Sequence, residues 1–258
     1  MSKSLTMNIK INNLDYDCLL MIFSYFPLEE RFKIKNVCQK WRDVSHLIWT
    51  NIQSINCPNV YSNNIILTQS DLESIIRKCE KYLKQLTLDD NLKTDSILEV
   101  CKSCINIQYL DFSNSNDITD ETIISIVKNF NQLTYLDISN NWHLTKKSLN
   151  QLGKLKNLKN IILNDIIIID DETIDQFKNM KIVEFEVACV TDNSIKNLIE
   201  NSHDLEVLNI AGNPVTIDVL IFASKITQKR QKKLKIIVSK YLYQEFDNRN
   251  LSFLTIVT

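Results

Sequence analysis

A six-residue pattern of hydrophobic positions, apolar-x-x-apolar-x-apolar, recurs through the middle of the chain. The copies are Leu83/Leu86/Leu88, Ile107/Leu110/Phe112, Leu133/Leu136/Ile138, Leu158/Ile161/Leu163, Ile182/Phe185/Val187 and Leu205/Leu208/Ile210. Their first residues lie 23 to 26 positions apart through five successive intervals, which chance clustering of apolar residues would not maintain. A fixed period of this length indicates a repeat architecture, in which each unit buries its apolar face against its neighbours.

Each unit is predicted to contain a short strand, a turn and a short helix. The turn carries Asn or Ser, at positions 91, 115, 141 and 213. A threonine follows at positions 94, 119, 145 and 191. Its hydroxyl suits the N-cap of a helix because it accepts a hydrogen bond from a free backbone N–H group. Apolar residues at helical spacing, such as Ile123 and Ile126, then form the inner face of the helix.

The two ends of the array and its fifth unit are less regular. A unit with a helix near residues 70–81 precedes the array, and a strand over residues 234–238 closes it. The tetrapeptide that begins at Ser70 has the form of a capping box. In the fifth unit the turn is short, so a register that starts at Met180 is possible beside the one that starts at Ile182.

This repeating unit resembles the leucine-rich repeat, in particular the cysteine-containing kind found behind F-boxes. In that kind a cysteine often lies three residues before the strand, and Cys104-Ile105-Asn106-Ile107 matches. The resemblance implies an α/β fold, a right-handed solenoid with a parallel sheet on its concave side and helices on its convex side. It covers residues 51–240, and residues 241–258 are expected to cap the last repeat or to cross the concave face.

Residues 9–50 do not fit the repeat and predict a separate helical module. Three helical patterns follow one another over residues 16–25, 28–37 and 38–46, and Pro27 ends the first because the residue before a proline avoids helical geometry. So short a module cannot bury all its apolar residues alone. It therefore needs a partner surface, either in this chain or in another.

The order of residues in this module resembles the F-box family, whose pattern runs LPxELLxxIFSYLPLED, then VCKxWR and a closing LW. The matching residues are Leu14-Asp15-x-x-Cys18-Leu19-Leu20-x-Ile22-Phe23-Ser24-Tyr25-Phe26-Pro27-Leu28-Glu29, Val37-Cys38-x-x-Trp41-Arg42 and Trp49. Asp15 stands where the family has the proline of its partner contact. The resemblance assigns residues 9–50 to an F-box, and residues 1–8 are expected to be disordered.

An F-box docks on the Skp-type adaptor of a cullin–RING ubiquitin ligase, so the resemblance implies that partner here. The residues expected at this contact are Leu14, Asp15, Leu19, Phe23, Pro27, Leu28 and Trp41. We expect Phe32, Ile34 and Val37, in contrast, to pack the module onto the first repeat.

The outward positions of the repeat strands predict a second binding surface, on the concave face. Alternate residues of a strand point to opposite faces, and no Lys or Arg occurs among the outward positions of the six strands. The residues expected to bind a target there are Asp89, Tyr109, Asp111, Tyr135, Asp137, Ile162, Glu184 and Glu186. Such an acidic, tyrosine-bearing surface suits a basic segment of a protein. A merely solvated sheet face is the alternative.

The composition of the chain argues against several further classes of function. The chain has 258 residues, a net charge of -1 and only two glycines, so the glycine-rich loops that hold phosphates cannot be written from it. A net charge this close to zero provides no overall electrostatic attraction to nucleic acid. The first twelve residues contain no signal-peptide pattern, and the most apolar stretch, over residues 161–169, is interrupted by Asn164 and Asp165 and too short to span a bilayer. We therefore expect a cytoplasmic or nuclear protein without membrane contact.

No catalytic or cofactor site is predicted. Cys101 and Cys104 form a CxxC pattern at a helix end, without the second pair or the histidine that a zinc site needs. The seven cysteines are interpreted as reduced thiols, most of them buried. The basic cluster over residues 229–233 is interpreted as a solvated surface, with a nuclear address as the alternative.

Two functions remain as hypotheses. The first is a non-enzymatic substrate-recognition adaptor of an SCF-type ubiquitin ligase, a monomer within a hetero-complex, whose F-box binds the adaptor and whose concave face binds a target. The alternative is a binding module or decoy that occupies the adaptor without delivering a target for ubiquitination.

Overall fold

The computed structural model describes residues 11–50, 52–57, 68–88, 92–115, 117–246 and 252–258, excepting the side chains of Leu28, Glu29 and Phe32. The first eight residues, expected to be disordered, lie outside the described residues. Within the described part, nine parallel strands form one open sheet in chain order. They are β1 (Ser54–Asn56), β2 (Gln85–Thr87), β3 (Tyr109–Asp111), β4 (Tyr135–Asp137), β5 (Asn160–Ile162), β6 (Ile182–Glu184), β7 (Val207–Asn209), β8 (Leu234–Ile237) and β9 (Leu254–Val257).

Eleven α-helices are described, the first three in the N-terminal module and the other eight each between two consecutive strands. They are α1 (Tyr16–Ser24), α2 (Leu28–Ile34), α3 (Gln39–Ser45), α4 (Gln69–Cys79), α5 (Thr94–Cys101), α6 (Asp120–Asn129), α7 (Lys146–Leu149), α8 (Asp171–Ile174), α9 (Asp192–Asn201), α10 (Ile217–Arg230) and α11 (Lys240–Glu245). Strands and helices alternate from β1 onward, which confirms the predicted α/β solenoid. None of the described helices combines the length and apolar character that crossing a bilayer requires.

The apolar positions of the repeat form the core of the solenoid. The central residue of each strand from β2 to β7 pairs with the central residue of the next, and all six are fully buried: Leu86, Leu110, Leu136, Ile161, Val183 and Leu208. Each repeat thus buries its apolar row only because neighbouring repeats cover it.

The fifth repeat follows the register that starts at Met180. Met180 is buried, whereas Ile182 faces outward beside Asn160 and Val187 is 45% exposed. The interpretation with Ile182, Phe185 and Val187 all inward is therefore wrong. The spacing in the sequence is misleading here because the segment from Leu158 to Met180, which contains the four-residue α8, is shorter than the other repeats.

Four residues after the central strand residue, each repeat from the third strand to the seventh has a left-handed backbone. These positions are Asn114, Asn140, Asp165, Val187 and Gly212, with φ between 57° and 72°. Asparagine, aspartate and glycine tolerate this region, whereas a β-branched valine is strained in it. The left-handed residue turns the chain out of the sheet towards the helix layer.

Threonines cap some of the helices as expected, but Thr94 lies inside α5, whose N-cap is Lys93, and Thr191 caps α9 without a side-chain capping hydrogen bond. Thr119 and Thr145 are N-caps whose hydroxyls accept from backbone N–H groups. The carboxylate of Asp120 in turn accepts from both the backbone N–H and the hydroxyl of Thr145. The predicted position of the α4 capping box is wrong. Thr68 and Asp71 form the box, and not the tetrapeptide that begins at Ser70.

The C-terminal segment continues the sheet. Strand β9 pairs in parallel with β8, so this part of the tail covers the last strand at its edge. The basic cluster before β8 is partly engaged within the chain, since Arg230 donates to the carbonyl oxygens of Ile199, Glu200 and Ser202 at the end of α9. Such contacts satisfy carbonyls that the helix leaves free.

The N-terminal module and the solenoid share one continuous hydrophobic core. Val44, Ile48 and Trp49 of the module are buried in the same cluster as Ile52 and Ile55 of the first repeat. The module therefore packs directly against the solenoid and is not connected to it by a linker alone.

Candidate protein-binding surfaces

Asp15 caps the first helix of the N-terminal module. Its Oδ1 atom accepts from the backbone N–H of Cys18 at 2.8 Å, and this hydrogen bond lowers the pKa of the exposed carboxyl. The residue that replaces the family's proline thus has a structural role at the start of α1.

The loop before α1 is fastened to α3 by polar contacts. Lys40 Nζ donates to the carbonyl oxygens of Asn12 and Leu14 at 3.1 and 2.5 Å. Trp41 Nε1 donates to Asn12 Oδ1 at 2.8 Å, while its ring lies 4.6 Å from that of Phe23. Trp41, expected at the adaptor contact, is half-buried and holds the loop in position.

The structure separates the expected contact residues of the module into two groups. Leu19 and Phe23 are fully buried, so they form the core of the module and are not available at its surface, contrary to expectation. They lie four residues apart on α1 and share its inner face. Asp15 and Pro27 are exposed and Leu14 is half-buried. The side chain of Leu28 lies outside the described part.

The three most exposed large apolar residues in the described part of the module were not among those expected at the adaptor contact. Met21 is 65%, Tyr25 83% and Val37 57% exposed. Val37 was expected to pack inward, and that expectation is wrong. Tyr25, the C-cap of α1, lies four residues after Met21, so the inward stripe of Leu19 and Phe23 already indicates that both face outward.

Two tyrosines stack on the concave face. Tyr109 and Tyr135 are register partners in β3 and β4, and their ring centroids lie 4.0 Å apart with the planes inclined by 9°. Burial raises the pKa of both phenols, so both are neutral at physiological pH. The pair forms a rigid aromatic surface with polar tips.

The carboxylates of the concave face lie in a lateral row beside the tyrosines. Pairing of successive strands aligns Asp111, Asp137, Ile162 and Glu184. Burial raises the pKa of Asp137, and the nearby charges of Asp111 and Glu184 add to the effect, although hydrogen bonds from Ser139 oppose it. Together these charges favour a cationic ligand.

The remaining expected target-binding residues differ in their accessibility. Ile162 is only 8% exposed, so it contributes little contact area, contrary to expectation. Glu186 is half-buried, and Asp89 lies outside the described residues. Lys235 occupies the outward row of β8, so the absence of cations holds for the six repeat strands and not for the whole sheet.

Four of the seven cysteines are buried, whereas Cys18 and Cys189 are exposed. Cys79, Cys101 and Cys104 are free thiols with no exposed surface. A hydrogen bond to Cys104 and burial raise the pKa of Cys101, which disfavours its reactive thiolate. Among the residues that the structure describes, no cluster of His, Cys, Asp or Glu could hold a metal ion.

Comparison with known proteins gives the following similarities. Residues 11–50 match the F-box domain family. No curated protein matches the chain in sequence. Among solved structures, internalin C2 from Listeria monocytogenes is similar over 90% of this chain and 91% of its own, with a TM-score of 0.54 and 17% identity.

A chain of the yeast Rad7–Elc1 complex is also similar, over 95% of this chain and 78% of its own, with a TM-score of 0.55 and 13% identity. At these identities the likeness concerns the fold alone. The sequence match and the fold agree with the two resemblances found in the sequence. The protein thus consists of an F-box domain at residues 11–50 followed by a solenoid of the leucine-rich-repeat type.

Proposed function

We propose that this chain is a substrate-recognition adaptor of an SCF-type ubiquitin ligase. Its F-box binds a Skp-type adaptor, which connects it to a cullin–RING ligase, and its concave face binds a protein target. The observation that carries the proposal is the F-box match at residues 11–50, together with the apolar side chains that this domain leaves exposed. The role places the protein in the cytoplasm or the nucleus.

The proposed adaptor contact combines Leu14, Pro27 and Leu28 with the exposed Met21 and Tyr25. Burying a large apolar side chain contributes about 1 kcal/mol or more at roughly 25 cal/mol per Å2. A few such anchors therefore dominate the affinity of an interface. The buried Leu19 and Phe23 act indirectly, by holding α1 in place.

The chain itself performs no chemistry in this proposal. It raises the effective concentration of a target lysine near the ubiquitin-charged enzyme. The continuous core between the F-box and the first repeat supports this role, because it fixes the distance between adaptor and target. The similarity to a chain crystallised in the Rad7–Elc1 complex supports a fold that assembles with a second protein.

A decoy that occupies the adaptor without delivering a target is the second candidate. The observation that favours it is Asp15, which replaces the family's contact proline with an exposed carboxylate. A charge that is buried at the contact loses its hydration, which costs free energy unless a group of the adaptor pairs with it.

The test is binding of the purified chain to a purified Skp-type adaptor. We expect binding that the triple variant Leu14→Ala/Pro27→Ala/Leu28→Ala weakens about a hundredfold. The matched control replaces exposed apolar residues of the solenoid, Ile105→Ala and Ile124→Ala, and should bind like the original chain. An unmodified chain that binds no adaptor would refute the ligase role. Ubiquitination of a bound protein in the reconstituted complex separates the receptor from the decoy.

A further inference from the structure

Two large apolar side chains are exposed at equivalent places in neighbouring repeats. Trp142 follows the central residue of β4 by six positions, and Ile167 follows that of β5 by the same number. Trp142 is 77% and Ile167 69% exposed. Both lie in the loops that lead from the strands to the helices, along one edge of the solenoid.

The next repeat also exposes an apolar side chain in its loop, two positions nearer to the strand. Val187, at the left-handed position after β6, is 45% exposed. Adjacent strands of a sheet are roughly 4.8 Å apart, so side chains of consecutive loops lie within contact distance of one ligand. Clustered apolar exposure of this kind marks interaction sites more often than isolated exposed residues do.

The charges around the edge favour a cationic occupant. The strands that end at these loops, β4 and β6, contain Asp137 and Glu184 on the concave face, and Glu186 follows β6. Lys146, the first helix residue after Trp142, forms an ion pair with Asp170 and is thereby neutralised locally. Acidic and apolar surfaces thus adjoin in the same three repeats.

From this arrangement we propose, resting on the function proposed above, that the target is recognised through a bipartite segment. A basic stretch lies on the row of Asp111, Asp137 and Glu184, and an adjoining large apolar residue packs on the edge formed by Trp142, Ile167 and Val187. Charge complementarity speeds association and fixes the register. The apolar anchor excludes water and slows dissociation.

The test is selection from a displayed random peptide library on the immobilised full-length chain. Selected peptides are expected to combine Lys or Arg with a nearby aromatic or large aliphatic residue. A synthetic peptide of the consensus should bind the Trp142→Ser/Ile167→Ser variant at least tenfold more weakly. Ile105→Ser is the matched control, because Ile105 is 69% exposed at the loop that precedes β3, and it should not change the affinity.

The outcomes separate the two proposals. Basic peptides without an apolar residue, bound equally by the Trp142→Ser/Ile167→Ser variant, would overturn the bipartite segment and leave the acidic surface intact. Peptides without basic residues, unaffected by Asp137→Lys/Glu184→Lys, would overturn the acidic surface itself. Sedimentation that shows a dimer of the original chain and a monomer of the Trp142→Ser/Ile167→Ser variant would assign the edge to a second copy and also refute the inference.

Discussion

Tyr109 and Tyr135 lie face to face across β3 and β4, with ring centroids 4.0 Å apart. Because the two residues are register partners, removing one ring also removes the contact of the other. Stacked aromatic pairs contribute about 0.5–1.5 kcal/mol beyond the area they bury. In a double-mutant cycle of Tyr109→Ala and Tyr135→Ala, we expect a coupling of about this size in urea unfolding. Strictly additive effects of the two substitutions would contradict the stacking. The control is Tyr241→Ala, which changes an exposed tyrosine and should leave the unfolding free energy unchanged.

Asp137 is predicted to reduce stability at neutral pH. Burial raises its pKa in the folded state, so above that pKa the native carboxylate is less favourable than the carboxylate of the unfolded chain. The penalty disappears as the pH falls through the folded pKa, because the group is then protonated. Asp137→Asn should therefore raise the unfolding midpoint at pH 7, and its advantage should shrink as the pH is lowered towards 4. An advantage independent of pH would show that charge is not its cause.

The sequence predicts the repeating strands and their inward residues well. It predicts the solvent exposure of individual side chains less well. The spacing of residues such as Leu110, Leu136 and Ile161 determines both the strands and their inward faces, because stacking repeats share one core. Ile162 follows the same alternation yet is almost completely covered, which depends on neighbouring strands that the local pattern does not contain. The stacking of Tyr109 on Tyr135 likewise depends on side-chain rotamers, which the sequence pattern does not determine.

The F-box is likewise predictable as a domain but not in the exposure of its individual residues. Its residue order identifies the domain, yet a family pattern does not distinguish residues that are kept for packing from those kept for contact. Leu19 and Phe23 proved to be core residues, whereas Val37 proved to be exposed. A helical projection of α1 would have separated Phe23 from Tyr25, because their positions differ by about 200° around the helix axis.

Phe23 and Tyr25 should accordingly respond in opposite ways to truncation. Phe23→Ala removes a fully buried ring and is expected to cost about 3–5 kcal/mol of unfolding free energy. Tyr25→Ala changes a side chain that is 83% exposed and should stay within about 0.5 kcal/mol, while weakening adaptor binding. Urea unfolding and adaptor titration check the pair. A large loss of stability in Tyr25→Ala would contradict its assignment to the contact surface.

Val187 and Gly212 occupy the same left-handed position in consecutive repeats. An L-residue with a β-carbon pays about 1–2 kcal/mol there, and asparagine is among the residues that adopt this conformation routinely. Val187→Asn, which copies Asn114 and Asn140, should stabilise the protein by about 1 kcal/mol. Gly212→Ala should destabilise it by at least about 1 kcal/mol, since the new β-carbon would also lie 3.1 Å from Val187 Cγ2. Unchanged unfolding midpoints in both variants would refute the strain.

Asn141 and Ser115 occupy equivalent turn positions, five residues after the central strand residue, but only Asn141 donates hydrogen bonds within the turns. The Oδ1 atom of Asn141 is itself buried without a partner among the described residues. The buried Asn141 side-chain amide donates to the carbonyl oxygens of Phe112, Ile138 and Ser139 at 2.8 to 3.0 Å. The Ser115 hydroxyl is buried and has no hydrogen-bond partner among the residues that the structure describes.

Asn141→Ser should therefore cost about 1–3 kcal/mol, because it removes the hydrogen bonds that the buried amide donates to three carbonyl oxygens of the turns. The reciprocal change, Ser115→Asn, should stabilise the preceding turn, since an amide at this position reaches carbonyl groups that the short hydroxyl does not. Unfolding midpoints of the two single variants and of the exchange variant Ser115→Asn/Asn141→Ser check the pair. If Ser115→Asn destabilised the chain as much as Asn141→Ser does, steric fit rather than hydrogen bonding would determine this position.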